Sequence, residues 1–273
     1  MAGHEAPHWK IEDLEFSRIA RDEVRRDENL FYLVASASFI ESGSDLYTQN
    51  LVDFFRGDDE VTDWLTHHWE AEELQHGKAL RAYVAHVWPE FDWEAAYRGF
   101  LEEYATYCKV ELLAPTRGLE MTARCVVETG TATYYRAMAR STDEPVLRDL
   151  ASRIAADEVS HYKHFYRFFR RYRDEERLSR FRVLGTISRR TLELKSEDAD
   201  CAIRHVVRTR SPERAGDTAF VQQLSARLNS TVRTNLSAGA TLKMLMRPLE
   251  LPAGVQTMIQ YPVRQFMEHV FLR

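Results

Sequence analysis

The chain runs to 273 residues with a formal net charge of −5, and 44% of its residues are hydrophobic and 29% charged. That length and apolar content suffice for a sizeable core in one large domain, while only 11 Gly and 8 Pro favour long helices over many short strands. No apolar stretch reaches the roughly 18 residues of a membrane-spanning helix and the first ten residues carry no signal-peptide core, so a soluble cytoplasmic protein without stable membrane insertion is expected.

Cys108, Cys125 and Cys201 lie far apart with no paired spacing, which argues against a disulfide framework or a four-cysteine iron site and fits a reducing compartment. Charge is uneven. Lys163 to Arg210 holds 14 Lys and Arg against 7 Asp and Glu, whereas residues 1–162 hold 16 against 31. The basic stretch reads first as a solvated helix surface and second as a face for an acidic partner; no nucleic-acid-binding motif accompanies it.

In chain order, residues 1–10 read as a loose tail. Ile11 to Arg26, with charged and apolar residues at helical spacing, reads as an amphipathic lead-in helix. Glu28 to Phe55 forms the first long helix, apolar on most faces from Leu30 through Ile40, yet with Glu41 in its middle. A carboxylate inside a bundle needs a partner, and a metal ion supplies one. Gly57-Asp58-Asp59 interrupts the chain before a second helix, about Glu60 to Val87, which Pro89 ends. There Glu73 and His76 stand one turn apart on one face, whereas Glu72 points about 100° away. His67 and His68 read as ordinary polar positions.

Phe91 to Leu113 reads as a connecting helix that returns the chain to its starting end. Pro115 opens a third helix, about Thr116 to Arg140, in which small and β-branched residues from Cys125 to Thr133 surround Glu128. Those small residues serve close packing and room beside a metal equally well. After the turn at Ser141 to Pro145, a fourth helix, Val146 to about Asp174, carries Glu158 and His161, with His164 one turn further on. Tyr162 and its aromatic neighbours read as core, although Tyr134, Tyr135 or Tyr162 could also carry an electron. Leu178 to Arg273 breaks into several further helices at Ser211-Pro212, Gly216-Asp217, Pro248 and Pro252. These are expected to pack on the bundle, lengthen a pocket or form a subunit contact.

Two copies of Glu-x-x-His thus stand out, Glu73 with His76 and Glu158 with His161. Each follows a lone Glu on another helix, Glu41 by 32 residues and Glu128 by 30. One Glu from each of two helices and Glu-x-x-His from each of two others is the ligand set of di-iron and di-manganese carboxylate bundles. Carboxylates neutralise and bridge two divalent ions about 3.5–4 Å apart, each imidazole adds a nitrogen, and open positions admit O₂.

Ala71-Glu72-Glu73-x-x-His76-Gly77 is similar to the first Glu-Glu-x-x-His-Gly motif of the soluble acyl-carrier-protein desaturases, a branch of the ferritin-like di-iron superfamily. Ile154-Ala155-Ala156-Asp157-Glu158-x-x-His161 resembles their second motif, including the Asp before the ligand. Glu128-x-x-Thr131 resembles their third-helix pattern, in which a Thr near the iron assists oxygen activation. The resemblance covers about residues 30–170; Ser42-Gly43-Ser44-Asp45 departs from it, and the last hundred residues have no counterpart.

The resemblance implies a single all-α domain, a ferritin-like four-helix bundle with a crossover connection over about 28–175 and a C-terminal helical extension over about 176–273. It implies two Fe ions, or a Mn/Fe pair, with O₂ as co-substrate. Glu41, Glu73 and His76 would hold one ion and Glu128, Glu158 and His161 the other, with Glu73 and Glu158 bridging. Thr131 would guide protons and Asp157 would orient His76. The implied activity is desaturation or hydroxylation of a fatty acyl chain on acyl carrier protein or coenzyme A. A ferredoxin-type donor, an acidic carrier meeting Lys163 to Arg210, and a homodimer follow as expectations. Aldehyde deformylation and amine N-oxygenation use similar ligand sets. A non-catalytic ferritin-like iron-binding protein is the alternative of another class, which the hundred extra residues disfavour.

Overall fold

The computed structural model describes residues 9–193, 197–252 and 254, so the expectations for residues 1–8 and for the last helical stretch lie outside the described residues. Among the described residues every regular element is helical, and no helix is long and apolar enough to cross a membrane. In chain order the longer helices are α1 (Glu28–Ser42), α2 (Ser44–Phe54), α3 (Asp59–Trp64), α4 (Glu70–Val87), α5 (Trp93–Tyr104), α6 (Arg117–Ser141), α7 (Pro145–Glu175), α8 (Arg180–Glu193), α9 (Glu197–Arg210), α10 (Thr218–Thr234) and α11 (Ala238–Met246). The chain divides into two compact units. One comprises Met1–Leu112, Thr142–Arg153 and Ser196–Ser230; the other comprises Leu113–Ser141, Ile154–Lys195 and Thr231–Arg273.

In the first unit the expected lead-in helix over Ile11–Arg26 does not form. Two 3₁₀ turns, Ile11–Asp13 and Phe16–Arg18, and one helical turn, Arg21–Val24, take its place. The buried residues there are Trp9, Leu14, Ile19 and Val24, five apart. On a helix that spacing steps about 140° around the axis, so no single stripe could bury all four. Loose turns can. Asp27 caps α1 by accepting the Leu30 N–H at 3.0 Å, and α1 is then buried on every face from Leu30 to Phe39. Gly43 divides the expected helix over Glu28–Phe55 into α1 and α2. A π-helical turn, Leu65–Trp69, joins α3 to α4 and interrupts the second expected helix just before Glu73 and His76.

The α1 helix packs on α4, and α9 packs on both α1 and α5. The helix expected from Phe91 to Leu113 stops at Tyr104. Beyond it Val110 and Leu112 are exposed, so no apolar stripe holds further turns against the core. The start of α7 also belongs here, with Pro145 at its first position. The Glu144 carboxylate accepts the N–H groups of Val146 at 3.0 Å and Leu147 at 2.6 Å, and the Tyr83 hydroxyl donates to it at 2.9 Å.

The second unit is built on α6, the rest of α7, α8 and α11, with α6 packed against α8 and α11. Side chains fasten the C-terminal part to α6 and α7. Thr133 and Thr241 hydroxyls meet at 2.8 Å, the Tyr162 hydroxyl donates to the Met244 carbonyl at 2.7 Å, and Tyr166 and Arg173 both reach Glu250. Packing on α6 and α7 is thus what this part of the extension does.

Candidate metal centre

Within the first unit, α1 and α4 approach closely where Gly77 meets Ser42. A Cβ on Gly77 would lie 2.5 Å from Ser42 Oγ and 2.7 Å from the Ser42 nitrogen. The glycine therefore allows a backbone approach that any side chain would prevent. Glu41 and His76 are the residues just before this crossing on each helix, and it brings Glu41 Oε2 to 3.8 Å from His76 Nδ1. Glu73 projects one turn before His76 on the same face. Glu41, Glu73 and His76 offer ligand atoms within 4.8 Å of one another, and all three are buried.

Trp9 covers this group, correcting the expectation of a loose tail as far as the described residues go. Its indole is buried and lies parallel to the His76 ring, within 4°, at a centroid separation of 6.2 Å. The Gln75 side chain donates to the Trp9 carbonyl at 3.0 Å, and the Arg153 guanidinium sits 6.0 Å over the indole.

Within the second unit, Glu128 on α6 faces Glu158 and His161 on α7. His161 Nδ1 lies 3.5 Å from Glu128 Oε2 and 3.8 Å from Glu158 Oε2. These three also offer ligand atoms within 4.8 Å of one another, each residue being 1% exposed. Thr131, half-buried and one turn after Glu128, donates its hydroxyl to Glu158 Oε2 at 2.7 Å. Burial first, and the neighbouring Glu158 second, push the Glu128 carboxyl up to about 8 against the downward pull of His161. Asp157 is buried beside Glu158.

Another buried acid on α6 shows the contrast. Glu120 lies 2.9 Å from the Arg124 guanidinium one turn away and accepts the Ala114 N–H at 2.7 Å, so its charge is matched by a cation. Each Glu/His group brings two carboxylates beside one imidazole, and close carboxylates repel one another. A dication relieves that repulsion, and two oxygens with one nitrogen suit iron or manganese. Both buried groups could hold a metal ion.

The remaining candidates fall outside these groups. His67 is exposed, Glu72 and His68 are half-buried, and the half-buried His164 has Nδ1 3.1 Å from the Ser160 carbonyl. Tyr134 and Tyr135 meet edge to face at 5.3 Å. Burial raises the Tyr162 phenol well above its ordinary range, which keeps it protonated. Sequence reasoning missed the Trp9 stack and the spacing role of Gly77. A lone Trp in an otherwise polar leader is the one visible hint of the first. No protein-family model matches the chain, and no curated protein matches it.

Proposed function

We propose that each Glu/His group holds one iron ion, with Glu41, Glu73 and His76 as ligands in the first unit and Glu128, Glu158 and His161 in the second, in a chain of the ferritin-like class. On this reading the chain is an O₂-dependent oxidoreductase acting on an aliphatic substrate, with a fatty acyl thioester the favoured class for desaturation or hydroxylation. The observation that carries it is the duplicated set of two buried carboxylates and one buried imidazole, one set in each unit. When bound, the iron ions would supply O₂ activation and one-electron redox steps that protein side chains lack.

The chain's own residues then have definite tasks. Thr131 holds one oxygen of Glu158 and keeps a hydroxyl proton at that atom. Asp157 is the proposed acceptor that orients a ligand imidazole. Trp9 lies parallel to the His76 ring and shields one face of it. On α8 the exposed Phe181, Leu184 and Leu192 stand among arginines, a composition suited to an acidic carrier such as acyl carrier protein.

The test is O₂ uptake by the iron-loaded chain with a ferredoxin-type donor and a panel of acyl thioesters. Uptake coupled to loss of acyl hydrogens supports the reading. An iron-loaded protein inert on the whole panel contradicts the acyl assignment, and a large hollow assembly on size-exclusion chromatography would favour iron storage.

A further inference from the structure

Away from the Glu/His groups, the packed helices α5 and α9 of the first unit bring together donors of a different kind. Glu103 projects from α5, and Cys201 and His205, four residues apart, project from one face of α9. A carboxylate oxygen, the Cys201 sulfur and a His205 ring nitrogen lie within 4.8 Å of one another. Cys201 and His205 are buried, whereas the Glu103 side chain is 36% exposed and leaves an approach from solvent.

Gly99, one turn before Glu103, makes the arrangement possible. A Cβ there would lie 2.9 Å from His205 Nδ1 and 3.2 Å from its Cε1. Glycine lets the imidazole lie against α5 with Nε2 turned to Glu103 Oε2 at 2.9 Å. Glycine in a helix interior costs about 1 kcal/mol relative to Ala. An ion-pair network is the plainer explanation, since Glu103 also accepts from Arg204 and from the Tyr107 hydroxyl at 2.9 Å. That network accounts for Arg204 and Tyr107. The same network takes in His205, in the space that Gly99 leaves, and the Cys201 thiol beside Glu103, so it brings three ligand types together without itself requiring sulfur; a half-exposed pair is worth only about 0–1 kcal/mol.

We propose that Glu103, Cys201 and His205 form a mononuclear Zn²⁺ site, separate from the Glu/His groups. Thiolate, imidazole Nε2 and carboxylate fill three positions of a tetrahedral ion, and water takes the fourth on the side of Glu103. Binding releases the Cys201 thiol proton to solvent, and the two anionic ligands neutralise the dication. The ion fastens α9, from the part of the chain beyond the family resemblance, to α5.

Co²⁺ serves as the spectroscopic stand-in for zinc in the reduced full-length chain. The expected result is a near-ultraviolet sulfur-to-cobalt charge-transfer band that Zn²⁺ bleaches, because the Glu/His groups contain no sulfur. The band disappears in Cys201→Ser and persists in Cys108→Ser and Cys125→Ser. His205→Ala weakens cobalt binding by at least the roughly tenfold to hundredfold that loss of an outer-shell partner alone costs. Should Cys201→Ser fail to fold, X-ray absorption of the zinc-loaded wild type decides, with a sulfur neighbour at about 2.3 Å expected. A wild-type protein with no thiolate–cobalt band, a band that survives Cys201→Ser, or zinc with only nitrogen and oxygen neighbours would overturn the proposal.

Discussion

Adding one methyl group at Gly77 tests whether the α1–α4 crossing sets the first ligand group. In Gly77→Ala the new Cβ would sit 2.5 Å from Ser42 Oγ, 2.7 Å from its nitrogen and 2.9 Å from its Cα. Ordinary contacts between carbons lie at about 3.5–4.0 Å, so the helices must part locally by roughly 1 Å. Such overpacking costs about 1–3 kcal/mol. The better helix propensity of Ala returns about 1 kcal/mol of that. A net loss of up to roughly 2 kcal/mol lowers the melting temperature of a chain this size by up to about 8 °C. Ser42→Ala relieves only the hydroxyl contact and leaves the two backbone contacts, so it rescues Gly77→Ala only in part. Because Glu41 and His76 flank the crossing, the same displacement exceeds the about 0.2 Å tolerance of metal–ligand distances, and iron binding falls more steeply than stability. Calorimetry of the metal-free protein and anaerobic Fe(II) titration measure both effects. A Gly77→Ala protein that melts and binds iron as the wild type does would refute the reasoning.

Glu128→Gln removes a buried acid without changing its volume, so the metal-free protein should melt at the same temperature or higher while its stabilisation by iron is lost; thermal scans with and without Fe(II) show whether the two effects have opposite signs. The Glu128 carboxyl, at about 8 in the folded chain against an ordinary 4.5, holds its proton in the folded state where the unfolded chain has lost it. Its contribution to stability is therefore full below about 4.5 and declines as pH rises to about 8, so the metal-free protein should melt lower at pH 8 than at pH 6. Iron should stabilise more as pH rises over the same window, because its ligands must be deprotonated; melting temperature against pH, with and without iron, checks both slopes. Thr131→Val deletes the donor 2.7 Å from Glu158 and should cost about 1 kcal/mol of metal-free stability. If the hydroxyl moves protons, turnover falls with substrate affinity unchanged and Thr131→Ser restores it.

The candidate ligand positions are legible in the sequence because a helix converts spacing directly into shared faces. Glu73 with His76, and Glu158 with His161, need only the 3.6-residue period, and the run from Leu30 to Ile40 already says that Glu41 is inside. Features that depend on where two helices meet are not local, and the sequence hides them. Nothing beside Gly77 announces Ser42 as its neighbour, and nothing beside Gly99 announces His205 about a hundred residues later. The leader at Ile11–Arg26 imitates a helix in composition, while its buried residues recur every five positions. The π turn at Leu65–Trp69 carries no residue signature at all.

The measurement that bears most directly on the central claim is Mössbauer spectroscopy of the chain loaded with enriched iron and exposed to O₂. Two Glu/His groups that each hold an ion predict two high-spin ferric ions per chain, one of which is lost in Glu128→Gln. A chain that takes up no iron, or a single iron that survives Glu128→Gln, would contradict it.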